Sequence, residues 1–541
     1  MNMFLQFSDS AKFADIAKNL INGLGFGNSF SFWSSNIFEL IKTKIFLSPW
    51  TPPIMPYSIA GFFKIFGVGD FAVIATSFFY FILTLVFVFL LAKKVFNNLP
   101  AQAGKLVGAL SILAVGFNYD LIHYAKNGAS ESPFIFEIVA ASYFASIKKR
   151  WANVVTILLL ILMYFTRPQA FIYIAGIILY WLLVNFKLKK ALLIFAGVIV
   201  CGLIVDRFVL WPLGGQMFLY SITGRGITST LAQGTSIATS DNLRGANLNF
   251  EGFGLTQLLK NIFYNLYNFY KLLPQIINPY LFAIFIVGLF RPSPKAASYA
   301  EMATKAVPAP HAFKIASVFM VIVTLLVTAA STPFYRYIHP IIPLVYILAV
   351  GTLVEIINKL SSPAKATEGQ ANTKFVILSS LFLIFAFGVG QTLGVLLLDS
   401  RFERNTHNVG KPPVYVELSK ILKENTNPNQ VVITNLDTWG SWYGERKTVW
   451  FPLEPKQLID PATGEIPFDA IYLTSYKMDD ANYYMGEGWR MIFENPGDSK
   501  KWTCDGCREI AKEYTLKDAY EVTASSNYER QNASAILLIK K

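Results

Sequence analysis

The sequence predicts a polytopic α-helical membrane protein that ends in a small α/β domain, and three observations support this. The 541 residues are 53% apolar and only 15% charged, whereas a soluble domain has about 25% charged residues. Apolar runs such as 71–92 and 375–398 have roughly the length of about 20 residues that crosses a hydrocarbon core. After residue 399 the long apolar runs stop and short strand-like segments begin.

Ten apolar segments are expected to span the membrane: 71–92, 104–119, 131–147, 152–166, 170–186, 191–211, 273–290, 315–331, 337–358 and 375–398. Basic residues cluster at every second junction, as at 93–94 and 148–150. Because such loops stay in the cytoplasm, the segments 1–70, 212–272 and 399–541 are expected to lie outside. The net charge of +13 therefore sets topology and does not indicate nucleic-acid binding.

The chain divides into three predicted parts. The first external loop, 1–70, holds two short amphipathic segments, 9–22 and 56–67, that suit interfacial helices. Ser8 or Asp9 is expected to cap the first helix and Gly23 to end it. A transmembrane domain of about ten helices follows at 71–398 with a long external loop at 212–272, and an extracytoplasmic α/β domain occupies 399–541. Since no span precedes the first external loop, we expect a missing first span or a partner that completes the fold.

Two classes of site are disfavoured by what the sequence contains. The longest cytoplasmic loop, about 292–314, is too short for a nucleotide-binding domain, and no P-loop or dinucleotide motif is present. Cys504 and Cys507 form a CDGC motif in the tail. A zinc site would need a second ligand pair, so a local disulfide is the favoured interpretation.

Five segments follow one another along the chain: DSAKFADIAKNLINGLGFG, SPWTPPIMPYSIAGFFKIFG, HYAKNGASESPFIFE, FTRPQAF and YRYIHPIIPLV. In this order they resemble the GT-C glycosyltransferases that use polyprenyl-phosphate sugars, in particular bacterial relatives of protein O-mannosyltransferases and aminoarabinose transferases. The resemblance implies a GT-C fold with two surface helices in the first external loop and a catalytic aspartate that maps to Asp9. Many family members have a second acidic residue directly after it, where this chain has Ser10.

Two carboxylates are candidates for catalysis. Sugar transfer from a lipid phosphate needs a base for the acceptor hydroxyl and cations for the departing phosphate. Asp9 is the predicted base, with a helix N-cap as the alternative interpretation. Glu131 is expected to orient the acceptor or to act as a second carboxylate, and its alternative is an acid that complements a helix dipole.

Cations at the predicted external ends of spans are candidates for binding the lipid phosphate. Arg336 is the first choice and Lys126 the second, with Arg167 at a similar position; their alternative is snorkelling to lipid headgroups. The remaining predicted substrate-binding residues are Asp120, Tyr335, His339 and Arg225. The alternative for Asp120 is a structural role, and the alternative for His339 is a place in the core.

The sequence and the resemblance together predict a glycosyltransferase in the cell (inner) membrane, with its active site on the extracytoplasmic side. The resemblance implies that it is an inverting enzyme. The donor would be a polyprenyl-phosphate-linked sugar and the acceptor a hydroxyl of a protein, lipid or glycan. No cofactor is predicted to be required, although a divalent metal stays open as an alternative. A lipid-linked sugar flippase, or a GT-C polymerase or ligase with a diphosphate-linked donor, is the alternative function.

Overall fold

The computed structural model describes four parts of the chain, 4–205, 255–290, 306–360 and 412–541. Short gaps fall at 35, 49–50, 98–102, 331–333, 480–484 and 526–529, and a few isolated positions outside these parts are also described. Most of the predicted loop at 212–272 and of the predicted span at 375–398 lies outside the described residues.

The first helix, α1 (Ser8–Ile21), lies almost where the amphipathic pattern predicts it. Its apolar face packs on α3 (Ile54–Phe66), the second predicted interfacial helix. Gly23, with φ +72°, follows the helix end as predicted. The predicted cap is wrong: the N-cap is Phe7, with no side-chain cap. Ser8 and Asp9 therefore lie in the first turn of α1, near its positive N-terminal end.

The rest of the first loop consists of very short elements. They are β1 (Gly27–Asn28), β2 (Phe30–Ser31), α2 (Ile37–Leu40) and β3 (Phe46–Leu47). Strands β1 and β3 pair antiparallel. Asp15, buried on α1, fixes the loop that follows, because its Oδ2 accepts a hydrogen bond of 2.5 Å from the backbone N–H of Ser29.

Apolar helices form the main body of the protein. They are α4 (Asp70–Val95), α5 (Ala103–Gly116), α6 (Tyr119–Ala125), α7 (Glu131–Ala145), α8 (Arg150–Thr166), α9 (Ala170–Asn185), α10 (Leu188–Val205), α11 (Leu255–Lys271), α12 (Leu273–Ile276), α13 (Pro279–Phe290), α14 (Ala309–Ala330) and α15 (Ile342–Leu360). Two 3-10 turns, Tyr335–Tyr337 and His339–Ile341, precede α15.

Within the described residues, four helical stretches are long and apolar enough to cross a membrane. They are Asp70–Val95, Leu188–Val205, Ala309–Ala330 and Tyr335–Asn358. Helices α5 and α6 form a fifth candidate that is bent by 69° at the break between them. Several of these helices carry large apolar side chains that are exposed on the protein surface. Such side chains are expected where hydrocarbon surrounds the protein. The predicted polytopic helical fold is confirmed.

The C-terminal part has the predicted α/β character. Its helices are α16 (Val414–Asn425), α17 (Asp437–Trp442), α18 (Glu487–Glu494) and α19 (Cys507–Glu513), and its strands are β4 (Val431–Thr434), β5 (Lys447–Trp450), β6 (Ala470–Thr474), β7 (Tyr514–Ser525) and β8 (Arg530–Lys540). The favoured disulfide is present, between Cys504 and Cys507.

One six-stranded sheet joins the C-terminal part to the first loop. Its order is β2-β5-β4-β6-β8-β7, in which β2, β5, β4 and β6 run parallel and β8 pairs antiparallel with both neighbours. The edge strand β2 comes from the first loop: Thr448 donates its N–H to the Ser29 carbonyl at 2.8 Å. Phe30 packs edge-on against Trp450, with ring centroids 6.1 Å apart. The two segments therefore share a core at one end of the helices.

Candidate active site

The predicted base and the first-choice cation lie next to each other. Asp9 is in the first turn of α1, and Arg336 is in the 3-10 turn before α15. Although 327 positions separate them in sequence, Arg336 Nη2 donates to Asp9 Oδ2 at 3.3 Å. The Asp9 side chain is 56% exposed and that of Arg336 is 34% exposed. The carboxylate is thus held by a cation and still accessible to an incoming acceptor.

A second carboxylate and a second cation form a buried ion pair. Arg167 Nη1 lies 2.6 Å from Glu131 Oε1, and the two side chains are only 9% and 5% exposed. Arg167 follows the last residue of α8, whereas Glu131 is the first residue of α7. Arg167 also donates to Ser130 Oγ at 3.3 Å. These two charges compensate each other within the protein.

Tyr337 links these two pairs. Its ring centroid is 5.6 Å from the Arg167 guanidinium carbon and 5.3 Å from that of Arg336. Both distances are within the range of cation–π attraction. Tyr337 is not among the residues predicted from the sequence, although its position beside Arg336 in the YRY motif is a usable signal, since Arg stacks readily on aromatic rings.

His339 connects α6 to the turns before α15. Its Nδ1 forms a hydrogen bond of 2.5 Å with the Tyr124 hydroxyl, and its Nε2 lies 3.9 Å from Asp120 Oδ2. A ring nitrogen that accepts from Tyr124 leaves the proton on Nε2, facing the carboxylate. The Tyr335 ring also packs against the His339 ring, with ring centroids 5.6 Å apart. His339 is fully buried, so this cluster holds two elements together, and Tyr124 is a second residue that the sequence analysis missed.

Lys126 differs from Arg336 and Arg167 in its surroundings. It follows the end of α6 and is half-buried. Burial lowers the pKa of its ammonium group. In the part of the chain that the structure describes, Lys126 forms no ion pair, whereas Arg336 and Arg167 each contact a carboxylate. A phosphate beside Lys126 would therefore meet no competing internal anion.

Two further predictions concern residues or ions that the structure does not bring to this site. Arg225 lies outside the described residues. Among the residues that are described, no group of three or more His, Cys, Asp or Glu side chains is arranged to hold a metal ion. The absence of a required cofactor stays a prediction.

Comparisons with known proteins agree with this architecture. Residues 51–211 match the family model of dolichyl-phosphate-mannose-protein mannosyltransferases. This range includes Lys126, Glu131 and Arg167 but neither Asp9 nor Arg336. No curated protein sequence matches the chain.

Solved structures with similar folds include membrane glycosyltransferases. The oligosaccharyltransferase of Archaeoglobus fulgidus in its apo form aligns with a TM-score of 0.50 and 12% identity, over 97% of this chain and 70% of that one. ArnT from Cupriavidus metallidurans aligns with a TM-score of 0.46 in the apo state and 0.45 with undecaprenyl phosphate bound, each at 11% identity over 99% of this chain and 94% of that one. The predicted resemblance is confirmed: the chain has the fold of the GT-C superfamily of membrane glycosyltransferases.

Proposed function

We propose that the protein is a glycosyltransferase that moves a sugar from a polyprenyl-phosphate donor to an acceptor hydroxyl, at the extracytoplasmic face of the cell (inner) membrane. The observation that carries the proposal is the contact between the half-exposed Asp9 carboxylate and Arg336 in a protein with a GT-C fold. The matching family model supports a donor of this class, because its description names a dolichyl-phosphate sugar.

Asp9 acts as the general base in this mechanism. It takes the proton from the acceptor hydroxyl as the hydroxyl oxygen attacks the anomeric carbon of the donor sugar. Its place in the first turn of α1 and its contact with Arg336 put positive charge beside the carboxylate. The same contact limits the orientations of the carboxylate, which reduces the entropy lost on reaching a productive geometry.

Lys126 takes the main role in binding the phosphate. The bond from the anomeric carbon to the phosphate oxygen breaks as the acceptor attacks, and negative charge accumulates on the leaving phosphate. Among the described residues Lys126 has no ion pair, whereas Arg336 is paired with Asp9. Lys126 therefore provides more of its charge to the leaving phosphate. Arg336 assists from the side of Asp9. Lys126 is thus the first choice for the phosphate and Arg336 the second, which reverses the order predicted from the sequence.

Glu131 and Arg167 serve mainly to position other groups. Their 2.6 Å contact in a buried setting makes Glu131 a poor candidate for a free second base, and it fixes Arg167 beneath the Tyr337 ring. A single displacement with one base inverts the anomeric centre, and this is the stereochemistry that the GT-C resemblance implies. The leaving polyprenyl phosphate is a monoester with about two negative charges; Lys126 compensates most of the charge that the protein offsets, Arg336 compensates a smaller part, and the mechanism invokes no metal.

The experiment is release of free polyprenyl phosphate from candidate polyprenyl-phosphate sugars by the purified full-length protein. Asp9→Asn and Lys126→Met are expected to lose most of the release. Lys420→Met, which removes an equal charge from an exposed pair with Glu417, is the control and is expected to retain it. Absence of release from any such donor, with a range of hydroxyl acceptors, would overturn the proposal.

The alternative functions give different products in the same assay. A flippase would move the intact donor across a vesicle membrane and release no polyprenyl phosphate. A polymerase or ligase with a diphosphate-linked donor would release polyprenyl diphosphate instead. Analysis of the lipid product by mass spectrometry separates the three outcomes.

A further inference from the structure

The backbone immediately before Asp9 is held by side chains of the C-terminal domain. Residues Leu5–Ser8 lead into α1, and both the first and the last of them make hydrogen bonds to that domain. The four bonds are Tyr415 OH to Leu5 O at 3.0 Å, Trp439 Nε1 to Leu5 O at 3.2 Å, Leu5 N–H to Tyr443 OH at 2.7 Å, and Thr438 Oγ1 to Ser8 O at 2.5 Å.

The two bonds to the Leu5 carbonyl are buried, where an unmade bond is costly, and the other two are partly buried. Leu5 is fully buried, and Trp439 and Tyr415 are 2% and 6% exposed. The Tyr415 and Trp439 rings stack with centroids 4.6 Å apart, so both donors are held rigidly. Because water cannot replace a buried partner, the segment before Asp9 has one strongly preferred position.

The same part of the C-terminal domain also holds the helix bundle. Tyr443 OH donates to Asp70 Oδ2, and Trp442 Nε1 donates to Asp70 Oδ1, each at 2.8 Å. Asp70 is the first residue of α4. Helix α17 and the residue after it therefore fix the start of α1 relative to the bundle, and the bundle carries Arg336 and Lys126.

We propose that the C-terminal domain is a positioning element of the active site, and that Thr438, Trp439 and Tyr443 set the place of Asp9 relative to Arg336 and Lys126. This inference rests on the proposed role of Asp9 as the general base. The three residues form hydrogen bonds to the backbone of Leu5 and Ser8, so they act on Asp9 through that backbone. A shift of about 1 Å in a reacting group can lower a rate about a hundredfold.

Thr438 offers the sharpest test, because one hydroxyl can be removed at nearly constant shape. Thr438→Val deletes the donor to Ser8, whereas Thr438→Ser keeps it. The matched control is Thr523→Val, in which a hydroxyl that bonds Asn532 is removed from β7, at the opposite edge of the sheet from β2. Each full-length variant is compared with wild type by turnover and by amide hydrogen exchange.

We expect Thr438→Val to lower kcat about tenfold with the KM for the donor unchanged within twofold, and to speed amide exchange across residues 5–12. Thr438→Ser and Thr523→Val should keep both properties. If the bond from Thr438 to Ser8 were purely structural, Thr438→Val would not lower kcat in a way that Thr438→Ser restores. Wild-type exchange in Thr438→Val, or faster exchange with wild-type kcat, would overturn the inference. If Asp9→Asn retains turnover, the proposed role of Asp9 as the base fails instead, and the exchange data still report on the contact; the proposed function itself fails only if wild type releases no polyprenyl phosphate.

Discussion

Removal of the Glu131 charge should destabilise the protein strongly, since it leaves Arg167 buried without its counter-ion. Glu131→Gln keeps the shape of the side chain and deletes one charge of a pair whose members are 5% and 9% exposed. Breaking a buried pair on one side typically costs about 3–5 kcal/mol. Arg167 keeps its Ser130 hydrogen bond and its Tyr337 contact, so we expect the lower end, about 3 kcal/mol.

The assay is chemical unfolding of detergent-solubilised protein, followed by intrinsic tryptophan fluorescence. Arg167→Gln and the double variant complete a double-mutant cycle, in which the double variant should be about 2 kcal/mol more stable than the sum of the single losses predicts. Glu417→Gln is the control: it breaks a 2.9 Å pair with Lys420 that is exposed, and should cost less than about 1 kcal/mol. Additive losses, or a Glu131→Gln loss as small as the control, would refute the reasoning.

Three further predictions concern the phosphate, a buried acid and metal ions. Lys126→Met should weaken binding of polyprenyl phosphate about tenfold or more, while Lys126→Arg keeps most of it; equal binding by all three proteins in a direct titration would exclude Lys126 as a ligand. Burial raises the pKa of the Asp15 carboxyl from 3.8 to about 6. Between these two pH values the folded state holds a proton that the unfolded state releases. The stability that this group contributes is therefore complete below about pH 4 and is lost as pH rises through 6. The change between pH 4.5 and 7 should reach about 2 kcal/mol and disappear in Asp15→Asn; an identical pH dependence in the variant would contradict this. Turnover should be unchanged after exhaustive chelation, and strict dependence on a divalent ion would overturn the metal-free mechanism.

Local pattern was sufficient for the elements whose faces are clearly different. Helices α1 and α3 have apolar residues on one side only, and β4, β6 and β8 are apolar runs between turn residues. Strand β2 could not be predicted because two residues cannot show an alternating pattern. Its place in the sheet depends on Thr448, more than 400 positions away, and no local signal reports such a contact.

Charge positions in the sequence identified the candidate cations but not their partners. The contact between Asp9 and Arg336 has no local signal in the sequence, because 327 positions separate the two residues. The pairing of Glu131 with Arg167 depends on how α7 packs against α8. This pairing changes the chemistry expected of both groups, since a compensated charge is expected to attract a phosphate less strongly than an uncompensated one.

The most direct test of the central claim is the kcat of Asp9→Asn with a polyprenyl-phosphate sugar that wild type turns over, measured beside the Kd of each protein for free polyprenyl phosphate. We predict that kcat falls a hundredfold or more, within the range that general-base catalysis contributes, while Kd stays within twofold. Turnover at the wild-type rate in Asp9→Asn would contradict the assignment of Asp9 as the base.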